Sequence, residues 1–310
     1  MALFDWSSQL PSSIPAEWRN TKGKNVRIAF IDTGVDVIGV PALKYLNKTG
    51  QKFNTGRPGF SPANLVGADQ IPDSFSVNGH GTLYASLLAG RSDNQADRID
   101  GIANAATFFL IKARNANGKK TTIRNLLDAL ELSANLNVDI AITGESVALS
   151  NLPFEQIPQS EIDRVMGLVK NKKILLFGAL KNRDAGEDWL NIVSDNFPNA
   201  EPESNNIAMA PADIDAVRES IREQAIMCLV AGMSGKVHQP GGAAVDLVLS
   251  NSAAAPVAGA IAALCLSFLK SQNSPMLGHP DQILQLLSAK FASLDEATGD
   301  YPEPVLFKNF

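Results

Sequence analysis

Short apolar runs alternate along the chain with longer stretches in which apolar residues recur at helical spacing. The short runs are rich in aliphatic and β-branched residues and mostly lie between turn-forming residues, a pattern typical of buried strands. Strands are predicted at Val26–Asp32, Ala106–Ala113, Val138–Thr143, Lys173–Leu180, Asn205–Ala210 and Ala225–Gly232.

Helical stretches follow several of these runs. Helices are predicted at Asn78–Gly90, Thr121–Asn135, Ser160–Lys170, Ser252–Leu269 and Asp281–Lys290. Ser160 is expected to cap its helix, and Glu161 in the first turn favours the positive end of the helix dipole. Strands that alternate with helices predict an α/β fold of three layers, with a mainly parallel sheet covered by helices on both faces.

The length of 310 residues suits one large domain or two small ones. We find no repeat, low-complexity tract or linker, and we interpret the polar region Asn182–Ser204 as a long loop rather than a boundary. The sequence therefore predicts a single domain over residues 1–310, with residues 1–22 as an N-terminal extension that packs on the core.

Composition and charge argue against two classes of function, nucleic-acid binding and membrane spanning. Hydrophobic residues make up 45% of the chain and charged residues 19%, which is ordinary for a globular protein. A formal net charge of −5 offers no basic surface for a phosphate backbone, so no nucleic-acid partner is expected. No uncharged apolar run reaches the roughly 18 residues that would suggest a membrane span.

The chain start has no basic residues followed by an apolar segment, so it does not resemble a signal peptide. We expect a cytoplasmic protein, although a domain cut from a longer precursor is left open. Cys228 and Cys265 lie in apolar runs, and we expect both to be buried free thiols. Because neither cysteine has a CxxC partner or a nearby His, metal binding has no support from them.

Two residues are candidates for acid–base chemistry. Asp32 ends a buried strand, and the carboxyl edge of a parallel sheet is where sites are built. Its simpler interpretation is a turn cap. His80 stands between two glycines at the start of an apolar helix, unlike a packed core histidine. The other histidines, His238 and His279, adjoin Pro and Gly and are interpreted as loop residues.

Ser252 is the candidate nucleophile. It lies in the predicted first turn of an Ala- and Gly-rich helix, where an isolated serine usually serves as an N-cap. A hydroxyl nucleophile needs a base to take its proton and a third group to orient that base. Together with Asp32 and His80, Ser252 would supply these three groups.

The three motifs together resemble the subtilisin-like serine peptidase family. The family's Asp, followed by Thr or Ser and Gly, is similar to Asp32-Thr33-Gly34, and its His motif is found intact as His80-Gly81-Thr82. The nucleophile motif is found as Ser252 with Ala and Pro at the family's following positions. The order Asp, His, Ser also agrees. This resemblance implies a catalytic triad of Asp32, His80 and Ser252.

The resemblance also implies an oxyanion donor. In the family a strand of aliphatic and small residues leads to an Asn whose side chain stabilises the oxyanion. Here the run Ile174–Leu180 leads through Lys181 to Asn182, which is therefore the matched residue. The simpler interpretation of Asn182 is a polar loop residue.

The sequence departs from the family pattern at several positions near the expected cleft. Ser250-Asn251 replaces Gly-Thr before Ser252, Lys181 replaces Gly before Asn182, and Leu83-Tyr84 replaces His-Val after the His motif. The peptide-binding strand end, Ser-Leu-Gly in the family, is matched by Gly144, Glu145 and Ser146. If Glu145 points into the pocket, it would favour a basic residue before the cleaved bond or block the cleft. Otherwise it is a solvated carboxylate.

Three functions follow from this resemblance. The first is a serine endopeptidase of narrow specificity that cleaves a protein or peptide substrate through an acyl-enzyme. The second is a catalytically impaired pseudopeptidase that binds peptides, and the third is a related acyl transfer. Family members often bind structural calcium, but no Asp or Asn cluster here matches such a loop, so we assign no cofactor or metal ligand. The sequence does not predict the oligomeric state.

Overall fold

The fold is described from a computed structural model. The residues described are 4–10, 12–56, 79–92, 99–113, 121–144, 147–148, 157–179, 189–190, 206–211, 226–229, 235–247 and 251–298. All statements on structure below concern these residues.

Seven parallel strands form the main sheet. Its order is β11-β10-β8-β6-β2-β5-β3, with every neighbouring pair parallel. The strands are β2 (Arg27–Asp32), β3 (Gln51–Asn54), β5 (Thr107–Lys112), β6 (Ile140–Thr143), β8 (Leu175–Ala179), β10 (Asn206–Pro211) and β11 (Ile226–Leu229). Short pairs lie outside it: β1 (Phe4–Asp5) with β4 (Ile99–Asp100), β7 (Val147–Ala148) with β9 (Trp189–Leu190), and β12 (Gly235–His238) with β13 (Ala244–Leu247).

The interior strand β2 is buried on both faces, as its continuous apolar run predicts. Ile28 and Phe30 belong to one hydrophobic cluster, whereas Ala29 and Ile31 belong to a second. Successive side chains of a strand point to opposite faces, so the sheet separates two cores.

Helices cover both faces of the sheet. They are α1 (Ala16–Arg19), α2 (Leu46–Thr49), α3 (His80–Ala89), α4 (Ile123–Asn135), α5 (Gln159–Asn171), α6 (Asn251–Ser271) and α7 (Pro280–Thr298). The first core contains side chains of α3, α6 and α7, and the second contains those of α4 and α5. The predicted three-layer α/β fold is confirmed. None of the helices in the described ranges has the length and apolar character needed to cross a bilayer.

The capping of one helix differs from the prediction. Ser160 was expected to cap α5, but α5 begins at Gln159 and its N-cap, Pro158, makes no capping hydrogen bond through a side chain. Proline already has a backbone φ of −68° there and favours a helix start without a polar cap. In α4, by contrast, Thr122 accepts a hydrogen bond from the backbone N–H of Asn125.

The polar region Asn182–Ser204 is not wholly without regular structure, because Trp189–Leu190 pairs with Val147–Ala148 as an antiparallel strand. The other residues of this region lie outside the described ranges. Two-residue strands carry too little periodicity to be predicted from the sequence alone.

The direction of α6 positions the site. Near its C-terminus, Lys270 Nζ donates to the carbonyl of Asn25 and to Asp139, which precede β2 and β6. In the middle of the helix, Gly259 packs on Ile142, the third of the four residues of β6. The helix therefore runs antiparallel to the strands, and its N-terminus lies at the carboxyl edge of the sheet.

The N-terminal residues contribute large side chains to the first core. Trp6, Leu10, Ile14 and Trp18 are all buried there. Trp6 Nε1 donates a hydrogen bond of 2.9 Å to the carbonyl of Lys236 in β12. This segment is held to the body of the protein by burial and by that directional contact.

Cys265 is buried in α6 and forms no disulfide, as predicted. Burial raises the pKa of its thiol to about 12, so it carries almost no thiolate near neutral pH. The side chain of Cys228 lies outside the described part of the structure.

Gly259 in α6 packs tightly on the sheet, whereas Gly167 in α5 has open space beside it, so their substitutions are expected to have opposite effects on stability. A Cβ at Gly259 would lie 2.5 Å from Ile142 Cδ1, so Gly259→Ala is expected to lower the free energy of unfolding by about 1–3 kcal/mol. A Cβ at Gly167 in α5 meets nothing within 4 Å, so Gly167→Ala is expected to stabilise by about 0.5–1 kcal/mol. Urea denaturation of both variants checks this, and equal effects would contradict the packing.

Candidate catalytic site

Asp32, which is buried, and His80, which is partly exposed, form a hydrogen-bonded pair at the carboxyl edge of the sheet. Asp32 is the last residue of β2 and its side chain is 1% exposed, while His80 is the first residue of α3 and is 22% exposed. Their Oδ1 and Nδ1 atoms are 2.7 Å apart. A carboxylate oxygen only accepts hydrogen bonds, so Nδ1 carries a proton, and in the neutral imidazole Nε2 is then an acceptor. An imidazole in this state is suited to take a proton from a nucleophile.

The residue after Asp32 links the two motifs. The backbone N–H of Thr33 donates to Asp32 Oδ1 at 2.7 Å, and its hydroxyl accepts from the N–H of Gly81 at 3.0 Å. A Cβ at Gly81 would lie 2.0 Å from the carbonyl oxygen of Gly34. Only glycine therefore allows the start of α3 to approach the end of β2 this closely.

Gly144 borders the pair from the neighbouring strand. It follows Thr143, the last residue of β6. A Cβ at Gly144 would lie 3.0 Å from Asp32 Oδ2 and 3.1 Å from His80 Cε1, so a side chain at this position would crowd both groups. Asp32 Oδ2 is buried and has no hydrogen-bond partner among the described residues. Glu145 and Ser146 lie outside the described ranges.

Tyr84 contacts His80 from one helical turn further along α3. The two ring centroids are 4.7 Å apart and the planes meet at 81°, an edge-to-face arrangement. Tyr84 was noted in the sequence only as a departure from the family pattern. Its spacing of four residues from His80 on a predicted helix is the signal that could have indicated the contact.

The backbone of Ser252 lies in the first turn of α6, as predicted. The helix begins at Asn251, so Ser252 is its second residue rather than the N-cap of the simpler interpretation. Since α6 starts at the carboxyl edge, Ser252 lies at the same edge as Asp32 and Gly144. Pro256 has no N–H, so it cannot donate the usual helical hydrogen bond to the Ser252 carbonyl. The Ser252 side chain is outside the described part of the structure.

Asn182 and Lys181 also fall outside the described ranges. The strand that leads to them, β8, ends at Ala179 beside β6, and Thr143 pairs with Gly178 at that edge.

A second carboxylate, Asp36, connects three segments around the pair. Its Oδ1 accepts from the backbone N–H groups of Ile38 at 3.2 Å and Gly39 at 2.7 Å. Its Oδ2 accepts from the N–H of Gly241 at 2.9 Å, and its own N–H donates to Thr82 Oγ1 at 2.9 Å. Asp36 thus joins the loop after Asp32, the start of α3 and the β12–β13 turn. Sequence reasoning did not single it out.

His238 differs from the prediction of a loop residue. It ends β12, it is 2% exposed, and its backbone N–H donates to Ser86 Oγ in α3 at 3.1 Å. Its Nδ1 lies 3.0 Å from the carbonyl oxygen of Gly242, so Nδ1 donates. The adjoining Gln-Pro-Gly-Gly sequence forms the turn after the strand, which is why the local pattern suggested a loop.

Within the described ranges, no three His, Cys, Asp or Glu side chains are grouped so that they could hold a metal ion.

A family model matches half of this chain. The model of the subtilase family matches residues 23–177. The matched segment contains Asp32, His80 and Gly144, and it ends before Ser252.

Two curated bacterial proteins are similar in sequence. The major intracellular serine protease of Bacillus subtilis (strain 168) is 26% identical over 186 residues, 58% of this chain and 52% of that protein. The intracellular serine protease of Paenibacillus polymyxa is 24% identical over 252 residues, 80% of this chain and 69% of that protein. The chain thus spans about half the length of the first relative and about two thirds of the second.

Solved structures share the fold. Fervidolysin from Fervidobacterium pennivorans, a keratinolytic enzyme related to subtilisin, has a TM-score of 0.61 and 16% sequence identity. The likeness covers 89% of this chain and 41% of fervidolysin.

The connections of Asp36 predict a stability cost. Asp36→Ala removes the acceptor for three backbone N–H groups and is expected to lower the free energy of unfolding by about 1–2 kcal/mol. Asp246→Ala, which removes an exposed carboxylate 3.1 Å from Lys236, is the control and should change it by less than about 0.5 kcal/mol. Denaturant unfolding measures both, and equal losses would contradict a connecting role for Asp36.

Proposed function

Since the chain belongs to the subtilase family, we propose that it is a serine endopeptidase whose triad is Asp32, His80 and Ser252. The observation that carries this proposal is the hydrogen bond of 2.7 Å between the buried carboxylate of Asp32 and His80. It lies at the sheet edge where the helix bearing Ser252 begins. A base held by a buried acid beside a helix start is the arrangement that serine hydrolysis needs.

In the proposed reaction, Ser252 Oγ attacks the carbonyl carbon of the scissile peptide bond. His80 Nε2 takes the hydroxyl proton as Oγ forms its bond to carbon, and then gives that proton to the leaving amine. The acyl-enzyme that remains is hydrolysed by water, which His80 activates in the same way. Asp32 keeps Nδ1 protonated throughout and stabilises the positive imidazolium that forms in each step.

Negative charge develops on the substrate carbonyl oxygen during each attack. We propose that the Asn182 side chain and the backbone N–H of Ser252 donate to it. The position of Ser252 in the first turn of α6 supports this role, because N–H groups of a first helical turn have no partner within the helix. The positive end of the helix dipole favours the same charge.

We further propose a protein or peptide substrate with narrow specificity. Gly144, Glu145 and Ser146 stand where the family's strand end pairs with bound peptide. Gly144 lies against both Asp32 and His80, so a peptide beside this strand would lie next to the reacting groups. The curated relatives are intracellular by name, and we extend that location to this chain as part of the proposal.

The buried acid–base pair favours hydrolysis over the alternative of a pseudopeptidase that binds peptides. Peptide binding alone does not require an imidazole whose Nδ1 is hydrogen-bonded to a carboxylate that is 1% exposed. Burying that carboxylate costs free energy, which its hydrogen bonds with His80 and with the backbone N–H of Thr33 offset.

Labelling with a fluorophosphonate probe tests the triad. The folded protein should be labelled, because activated serines react with such probes, whereas Ser252→Ala and His80→Ala should abolish the signal. Ser271→Ala, in the last turn of the same helix, is the matched control and should be labelled like the wild type. Labelling is read by fluorescence after denaturing electrophoresis, and thermal unfolding shows that each variant is folded.

A folded wild-type protein that stays unlabelled would overturn the hydrolase proposal and favour the binding module. Labelling that persists in Ser252→Ala would place the nucleophile at another residue.

Asn182→Ala tests the proposed oxyanion donor. The loss of one such donor lowers kcat by about 10²–10³, a figure that comes from subtilisin, a member of the same family. KM for a peptide substrate should change little, because the interaction forms only in the transition state. Asn171→Ala, at the exposed end of α5, is the control. A rise in KM with unchanged kcat would instead indicate a role in substrate binding.

A further inference from the structure

We propose that Tyr84 is a positioning residue that keeps the imidazole of His80 in the orientation bonded to Asp32. Its contribution to catalysis rests on the proposed function, but the orientation itself does not. The contact between the two rings carries the inference, since their centroids are 4.7 Å apart with planes at 81°.

The described residues enclose the His80 ring on three sides. Asp32 Oδ1 holds Nδ1 at 2.7 Å, and the backbone at Gly144 lies against Cε1. Tyr84 lies against the ring at right angles to its plane. Rotation away from Asp32 would break the hydrogen bond and also the edge-to-face contact. Nε2, the atom that must receive a proton, is not held by any of these three contacts.

The helix explains why residue 84 can reach residue 80. Helical side chains tilt toward the N-terminus, so a residue covers the one four positions earlier. Tyr84 is itself 5% exposed and belongs to the first hydrophobic core. Its ring is therefore fixed by packing and can restrict the rotation of the His80 side chain, which is 22% exposed.

The family has Val at the position of Tyr84. Valine has no ring, so it offers the imidazole neither a π face nor a ring edge. A shape-filling role in the core would require only apolar volume at residue 84. The positioning role requires an aromatic ring, so the two roles predict different behaviour for Phe and Val.

The orientation is tested by NMR of the His80 Nδ1 proton, which a hydrogen bond to a buried carboxylate shifts to low field and protects from exchange with water. Tyr84→Phe should retain this signal, because the ring remains. In Tyr84→Val the signal should broaden and exchange with water about twofold to tenfold faster, the change that corresponds to losing an edge-to-face contact.

Tyr45→Val is the matched control for loss of an aromatic residue. Tyr45 contacts the opposite end of the same helix, where its hydroxyl donates to the carbonyl of Ala89 at 2.7 Å. Its replacement should lower the melting temperature without changing the His80 signal. Thermal unfolding of every variant separates loss of stability from loss of orientation.

Fluorophosphonate labelling then measures the consequence for reactivity. The maximal labelling rate of Tyr84→Val should fall about twofold to tenfold below that of the wild type, with no change in the probe concentration at half-maximal rate. Tyr84→Phe should recover most of the loss.

An unchanged Nδ1 signal in folded Tyr84→Val would overturn the positioning role. An equal loss in Tyr84→Phe and Tyr84→Val would also overturn the ring contact as its cause, since the hydroxyl would then be responsible. A wild-type protein with the low-field signal but no labelling would contradict the proposed peptidase alone.

Discussion

The hydrogen bond between Asp32 and His80 is the constraint on which the site depends. A carboxylate buried to 1% exposure is costly unless its oxygens are paired, and here one oxygen receives both a ring N–H and the backbone N–H of Thr33. This pairing brings the end of β2 against the start of α3. The close approach in turn explains Gly81, where a Cβ would collide with the carbonyl oxygen of Gly34, and Gly144, where a Cβ would crowd Asp32 and His80.

The parallel sheet converts distant positions in the chain into neighbours. All seven strands of the main sheet point the same way, so the last residues of β2, β6 and β8 lie at one edge. Helix α6 runs back across the sheet from that edge, which is why the first turn of a helix more than 200 residues after Asp32 lies at the same edge. Asp36 fixes a second connection near this edge, since its carboxylate accepts hydrogen bonds from both the loop after β2 and the β12–β13 turn.

Two of the departures from the family pattern lie close to the His80 imidazole. Gly144 allows the backbone to contact the acid–base pair directly. Tyr84 replaces a small aliphatic residue with a ring that meets His80 edge to face. Both changes lie within contact of the imidazole, so this chain surrounds the same pair with a different set of contacts. The scaffold beneath it, by contrast, has the continuous apolar strands expected of any sheet buried on both faces.

The sequence predicted six of the seven strands of the main sheet, the five longer helices and the three-layer fold, because apolar runs and helical spacing are local patterns. It did not predict β3, which has only four residues. The resemblance of short motifs to a known family named Asp32 and His80 as partners. Tertiary structure alone decided the rest. The contact of His238 with Ser86, the hydrogen bonds of Asp36 with Thr82 and Gly241, and the position of Gly144 near the pair all join residues that are far apart in the chain. The cap of α5 was predicted wrongly, since Pro158 and Ser160 offered two local starts two residues apart and only the folded backbone selects one. Local sequence encodes period and motif, whereas contact between separate segments is fixed only when packing brings them together.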